Sequence, residues 1–133
     1  MATINRFEDI EAWQKARFLA KEIQTISLTS GLSKDYKLKE QINASSGSIM
    51  DNIAEGFERG GKLEFINFLS ISKGSAGEVK SQLCRMLDRE YITREKFDEL
   101  YSIAHEIGNM LGGWIVYLNK SEFKGTKFKD RVT

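Results

Sequence analysis

No proline interrupts the 133 residues of this chain, and its apolar residues recur three and four apart instead of alternating. A chain without the imino acid carries no built-in helix breaker. A period near 3.6 marks amphipathic helices, not half-buried strands. Together the two features predict long uninterrupted helices and an all-α fold. A hydrophobic content of 41% lies in the globular range, and the length fits one domain with a core of its own.

Four helical segments are predicted. The first runs roughly from Asp9 to Leu28, with Ala12, Trp13, Ala16, Leu19, Ile23 and Ile26 on one face. A break follows at Thr29-Ser-Gly-Leu-Ser33, where Gly31 supplies turn chemistry. The second segment covers 35–57 and is expected to stop near Gly56; Arg59-Gly-Gly61 is the clearest turn. The third covers 62–89, with Phe65, Leu69, Ala76, Val79, Leu83 and Met86 facing inward. Thr93 is the expected N-cap of the fourth, 94–119, with Glu95 in its first turn. Short connections make neighbouring helices antiparallel, giving an up-down-up-down four-helix bundle over residues 1–120. Residues 121–133 are expected to form a short, mobile basic tail.

The second helix has an unusual flank. Leu38, Ile42, Ile49 and Ile53 form its apolar stripe, and Gln41, Ser45, Ser48, Asn52 and Glu55 form a second stripe beside it. Polar groups so close to a buried face need hydrogen-bond partners. One reading is a structural ladder in which Asn52 and Glu55 meet Ser75 and Glu78 of the third helix. The other is a small polar site, with Glu55 and Glu78 as an acid–base pair. No nucleophile–base pair or metal-ligand cluster accompanies these carboxylates, so no enzyme activity, metal or cofactor is expected. A single His105 leaves no material for a ferritin-like centre. It and Trp13 and Trp114 read as ordinary interior or interfacial residues, and Cys84 as a small buried hydrophobe.

The charges exclude some classes. Net charge is +1, which does not fit a globally basic nucleic-acid binder. The excess is local: Arg59, Lys62, Lys73, Lys80, Arg85 and Arg89 outnumber Glu64, Glu78 and Asp88 by three between positions 59 and 89. Lys62, Lys73 and Lys80 stand at offsets 0, 11 and 18, within about 20° on a helix. Lys124 and Lys127 extend the basic character into the tail. This set is either a solvated face or a phosphate-contacting track that gains continuity in an oligomer. On the opposite side from the Phe/Leu face, Ser70, Gly74, Gly77 and Ser81 make a smooth stripe, either a tolerated solvent face or the close approach of another helix or subunit. Phe18, Ile66, Ile71 and Ile103 fall off the main stripes, which raises the prospect of self-association. No apolar run approaches the ~18 residues of a membrane span and no apolar leader is visible, so a cytoplasmic location without membrane partners is expected.

The residues also carry a family resemblance. Phe7-Glu-Asp-Ile-Glu-Ala-Trp13-Gln-Lys-Ala16, Gln41-Ile42, Ser48-Ile49, Asn52-Ile-Ala-Glu-Gly56, Glu64-Phe65, Phe68-Leu69-Ser-Ile71, Gly74-Ser75 with Glu78, Tyr91-Ile92 and Met110-Leu111 resemble the 23S rRNA intervening-sequence proteins. A relative of that family is the accessory variability protein of diversity-generating retroelements. The resemblance implies a four-helix bundle assembled as a ring-like homopentamer, without enzymatic activity or an identified small-molecule substrate. For the retroelement relative it implies nucleic-acid binding through a basic surface and a reverse-transcriptase partner. Two features depart from the pattern: Asn43 and Ala44 stand where the family usually has two arginines, and Met50 where it often has proline. The missing arginines weaken a nucleic-acid role for this chain. Two functions stay open: an oligomeric scaffold that binds RNA, DNA or a nucleic-acid-processing partner, or a self-assembly module with no such role.

Overall fold

A computed structural model describes residues 4–121. Four long helices account for most of it: α1 Glu11–Thr29, α2 Tyr36–Arg59, α3 Lys62–Asp88 and α4 Arg94–Lys120. Short 3₁₀ turns at Phe7–Asp9 and Gly31–Lys34 flank α1. Packing is most extensive between α2 and α3 and between α3 and α4, and α1 closes the bundle against α2 and α4. The arrangement is the expected antiparallel up-down bundle. Among the described residues, no helix is long and apolar enough to cross a membrane.

Local chemistry sets the helix ends. Asp35 caps α2 by accepting from the Leu38 amide at 3.3 Å, and Thr93 caps α4 by accepting from the Lys96 amide at 3.1 Å, each satisfying a donor the helix leaves orphaned. Helix α2 does not stop at Gly56. It continues to Arg59 and ends where Gly60 adopts a left-handed φ of 83°, the conformation glycine tolerates at no steric penalty. Gly56 is interior and buried because a Cβ there would lie 2.6 Å from the Cβ of Phe68. Helix α3 ends in a Schellman arrangement: the Tyr91 amide donates to the Met86 carbonyl, the Glu90 amide to that of Leu87, and Glu90 takes a φ of 59°.

The core runs the length of the bundle through Leu19, Ile42, Ile53, Phe65, Leu83 and Ile107, all fully buried. Phe65 meets Phe57 edge to face and the half-buried Trp114 at a tilt, at centroid distances of 6.0 and 5.8 Å; Trp13 is buried. Ser72, also buried, donates to the Ile49 carbonyl of α2 at 2.7 Å. Between α1 and α4, Lys96 reaches Glu22 and Lys15 reaches Glu106, each at 3.0 Å, while Lys96 also pairs with Glu99 of its own helix at 3.0 Å. At the end where two connections meet, Asp35 accepts from Tyr91 at 2.8 Å and from Arg89 at 2.6 Å. Gly31 lies under the Tyr91 ring, 2.7 Å from where a Cβ would sit.

Candidate functional site

The polar stripe of α2 faces α3 and is satisfied there. Arg85 donates to the Gln41 side chain at 3.2 Å, Ser45 donates to Gln82 at 2.5 Å, Ser48 and Ser75 share a hydrogen bond of 3.0 Å, and Asn52 donates to the carbonyl and hydroxyl of Ser48. Among the described residues no buried side-chain nitrogen or oxygen lacks a partner. The expected ladder therefore exists, but with corrected membership. Glu55 is exposed and pairs with Arg59 at 2.7 Å. Glu78 is also exposed and stands at the rim of a solvent-open cavity of about 340 Å³ with Gln41, Ala44, Ser45, Ser48 and Gln82. The antiparallel register that pairs Ser48 with Ser75 and Ser45 with Gln82 leaves Glu55 and Glu78 about 9–15 Å apart along the axis at 1.5 Å per residue. That spacing rules them out as a hydrogen-bonded acid–base pair. Gln82 and Arg85 are the partners that sequence reasoning missed; Gln82, seven residues after Ser75, shares its face and was the readable signal.

The six basic residues do not form one surface. Arg59 is held by Glu55 and lies 5.1 Å over the Phe68 ring; its guanidinium is held above its ordinary value by the hydrogen bond to Glu55 and then by that carboxylate's charge. Arg89 is committed to Asp35. Arg85 turns toward α2 to hold Gln41. Lys62 donates to the Ser121 carbonyl at 2.7 Å. Lys73 and Lys80 lie on the same side of α3 as Lys62 and border the groove between α3 and α4. Lys80 Nζ sits 3.1 Å from His105 Nδ1 and 5.2 Å from the Tyr101 ring centroid. Lys73 has no hydrogen-bond or ion-pair partner among the described residues. Lys124 and Lys127 lie outside the described residues.

The α3/α4 groove has an open floor. One stretch, about 550 Å³, is lined by Ser70, Lys73, Gly74, Gly112, Ile115 and Val116. The next, about 270 Å³, runs past Gly77, Lys80, His105, Gly108 and Asn109. No carboxylate lines either stretch. A Cβ added at Gly74, Gly77 or Gly108 would meet no heavy atom within 4 Å, so packing within the chain does not require these glycines. Around them Leu63, Ile71 and Val116 are 75%, 53% and 53% exposed. Phe18 is exposed and, with Ile103, lines a separate hollow between α1 and α4; Ile66 packs against the core.

The structure also places other residues that the sequence singles out. Cys84 is exposed, not buried: it follows the core residue Leu83 by one residue, and the 100° step carries it off the buried face. Asn43 bonds inward, donating to Ser27 of α1 at 2.8 Å, while Ala44 is exposed at the edge of the α2/α3 cavity. No group of three or more His, Cys, Asp or Glu side chains converges among the described residues.

Comparison with known proteins adds a family. The profile of the 23S rRNA-intervening sequence protein family matches residues 8–113. The chain is similar to a crystal structure from Bacteroides thetaiotaomicron, described as a protein of unknown function from the S23 ribosomal protein family. The identity is 28% over 79% of this chain and 95% of that one, with a TM-score of 0.73. No curated protein matches.

Proposed function

The chain belongs to the 23S rRNA-intervening sequence protein family, and from that premise we propose that it is a non-enzymatic, self-assembling helical module whose outer α3/α4 face packs against further copies. The observation that carries this reading is the set of glycines with no neighbour: Gly74, Gly77 and Gly108 sit mid-helix with open space over each. Each forgoes about 1 kcal/mol of helix propensity relative to alanine. A backbone arriving from outside gives that sacrifice a reason, because only glycine lets two helices approach so closely. Exposed Leu63, Ile71, Val116 and Tyr117 supply apolar area for the same contact. The non-enzymatic part is supported by the α2/α3 ladder, whose polar groups are spent on one another.

Blocking the face tests the reading. Gly77→Trp and Gly108→Trp point bulk into open space, so each variant is expected to keep its helical circular dichroism yet fall to the mass of a single 15.2 kDa chain. The resemblance implies five copies for the unmodified protein. Variants that retain the wild-type mass would remove the α3/α4 face from the account.

A second reading, binding of RNA or DNA, is favoured by one observation: Lys73 and Lys80 project into a groove that no carboxylate lines. Phosphate contacts of this kind are independent of sequence and steeply weakened by salt. A salt titration of oligonucleotide binding tests it, and no binding at low salt would exclude it.

A further inference from the structure

Three pairs of residues face one another across the α3/α4 groove in a single antiparallel register. Lys73 lies across Gly112, its Cε 3.5 Å from where a Cβ there would sit. Four residues on along α3 and four back along α4, Gly77 comes opposite Gly108. Three further on and three further back, Lys80 meets His105 Nδ1 at 3.1 Å. The result is a cradle of about 270 Å³ with a lysine at each end and two facing glycines between them. A Cβ at either glycine would meet nothing within 4 Å. An ammonium group has no lone pair to offer, so Nδ1 is the acceptor and the ring's hydrogen sits on Nε2, a further donor. Asn109 adds an amide. The nearest carboxylates in sequence are turned elsewhere: Glu78 rims the α2/α3 cavity, and Glu106 pairs with Lys15 of α1.

We infer that this cradle is a binding site for the diphosphate group of a small ligand, gripped at its two ends by Lys73 and Lys80 and seated low over Gly77 and Gly108. Length selects the ligand. The two lysines stand about 10 Å apart along the axis of α3. Two charge-assisted contacts of about 2.8 Å each leave a gap the length of a diphosphate between their heads. The volume falls just short of the about 300–1,000 Å³ of common small-molecule pockets, which suits a compact anion. The basic surface is also too short for a polymer. Lys62 is held by the Ser121 carbonyl, and Arg85 and Arg89 are committed to Gln41 and Asp35. Affinity for a nucleic-acid strand grows with the number of phosphates neutralised, and two lysines offer a strand little. An arriving helix would use the same opening over Gly77 and Gly108. The inference therefore stands apart from the self-assembly reading, because the cradle is complete within one chain.

Calorimetric titration of the full chain at low salt tests it, with pyrophosphate, orthophosphate, ADP and mixed-sequence single-stranded RNA as probes and circular dichroism as the check on folding. Pyrophosphate is expected to bind saturably and more tightly than orthophosphate. ADP tighter than pyrophosphate marks a nucleoside diphosphate as the ligand, and equal affinity marks the diphosphate alone. His105 is the only histidine of the chain, so its imidazole proton resonances are expected to shift with the same midpoint. Lys73→Gln with Lys80→Gln, and separately Gly77→Leu, which fills the floor without changing any charge, are each expected to stay helical and weaken pyrophosphate binding about tenfold or more. Lys37→Gln, at an exposed lysine on α2, is expected to bind as wild type. Absence of saturable pyrophosphate binding overturns the proposal, as does equal affinity for orthophosphate. An unmoved histidine resonance puts the ligand elsewhere. A Gly77→Leu chain that binds normally, or a Lys37→Gln chain that loses as much as the cradle variants, reduces the effect to diffuse charge. RNA that binds more tightly than pyrophosphate, and more so with length, makes the groove a phosphate track and the proposal wrong.

Discussion

Asp35 is the residue on which one end of the bundle turns. It caps α2 and binds Tyr91 and Arg89 across the α3–α4 connection. Its carboxyl is held below its ordinary value of 3.8, first by the Tyr91 hydrogen bond, then by the Leu38 amide and by Arg89, against the opposing effect of desolvation. The same hydrogen bond raises the Tyr91 phenol above 10.0. A carboxyl with a depressed folded-state value contributes stability that is present above 3.8 and lost as pH falls through the folded value. Asp35→Asn is therefore expected to lower the melting temperature at neutral pH, with the gap to wild type narrowing below pH 3.8; a gap that is constant with pH would detach the effect from this ionisation. Glu90 offers the opposite case. It holds a left-handed φ of 59° at the end of α3, a conformation that penalises side chains with a Cβ by about 1 kcal/mol. Glu90→Gly is expected to stabilise the fold by about that amount in denaturant unfolding.

The helices divide their glycines between two roles. Gly56 lets Phe68 approach α2 and Gly31 lets Tyr91 cover the first connection, at would-be Cβ distances of 2.6 and 2.7 Å. Gly56→Ala is expected to destabilise by about 1–3 kcal/mol through overpacking. Gly74→Ala and Gly77→Ala have room, so under conditions where the chain is monomeric each is expected to raise stability by about 1 kcal/mol while weakening assembly. Thermal melts together with mass measurements separate the two effects. The contrast also explains what the sequence alone conveyed. Helix existence, order and the Thr93 cap were readable because periodicity and capping are local. The end of α2 was misplaced because a glycine accommodating Phe68 and a glycine ending a helix look alike until the neighbouring helix is in place. Glu55 and Glu78 were drawn into the ladder for the same reason: a helical wheel gives the face, but the register between α2 and α3 chose Gln82 and Arg85 instead.

Taken whole, the bundle satisfies its interior and leaves its outer α3/α4 face incomplete. The core is continuous and the α2/α3 polar groups are paired. The outer face has open-floored glycines, exposed aliphatic side chains and two lysines without a carboxylate. Lys73, Lys80 and the glycine stripe were visible in the sequence, but Gly108, Gly112 and His105 join them only once α4 lies beside α3. Sedimentation velocity of the unmodified chain, from sub-micromolar to tens of micromolar, tests the account most directly. A species several times heavier than 15.2 kDa that persists through the range is the predicted result. A single-chain species throughout would contradict it.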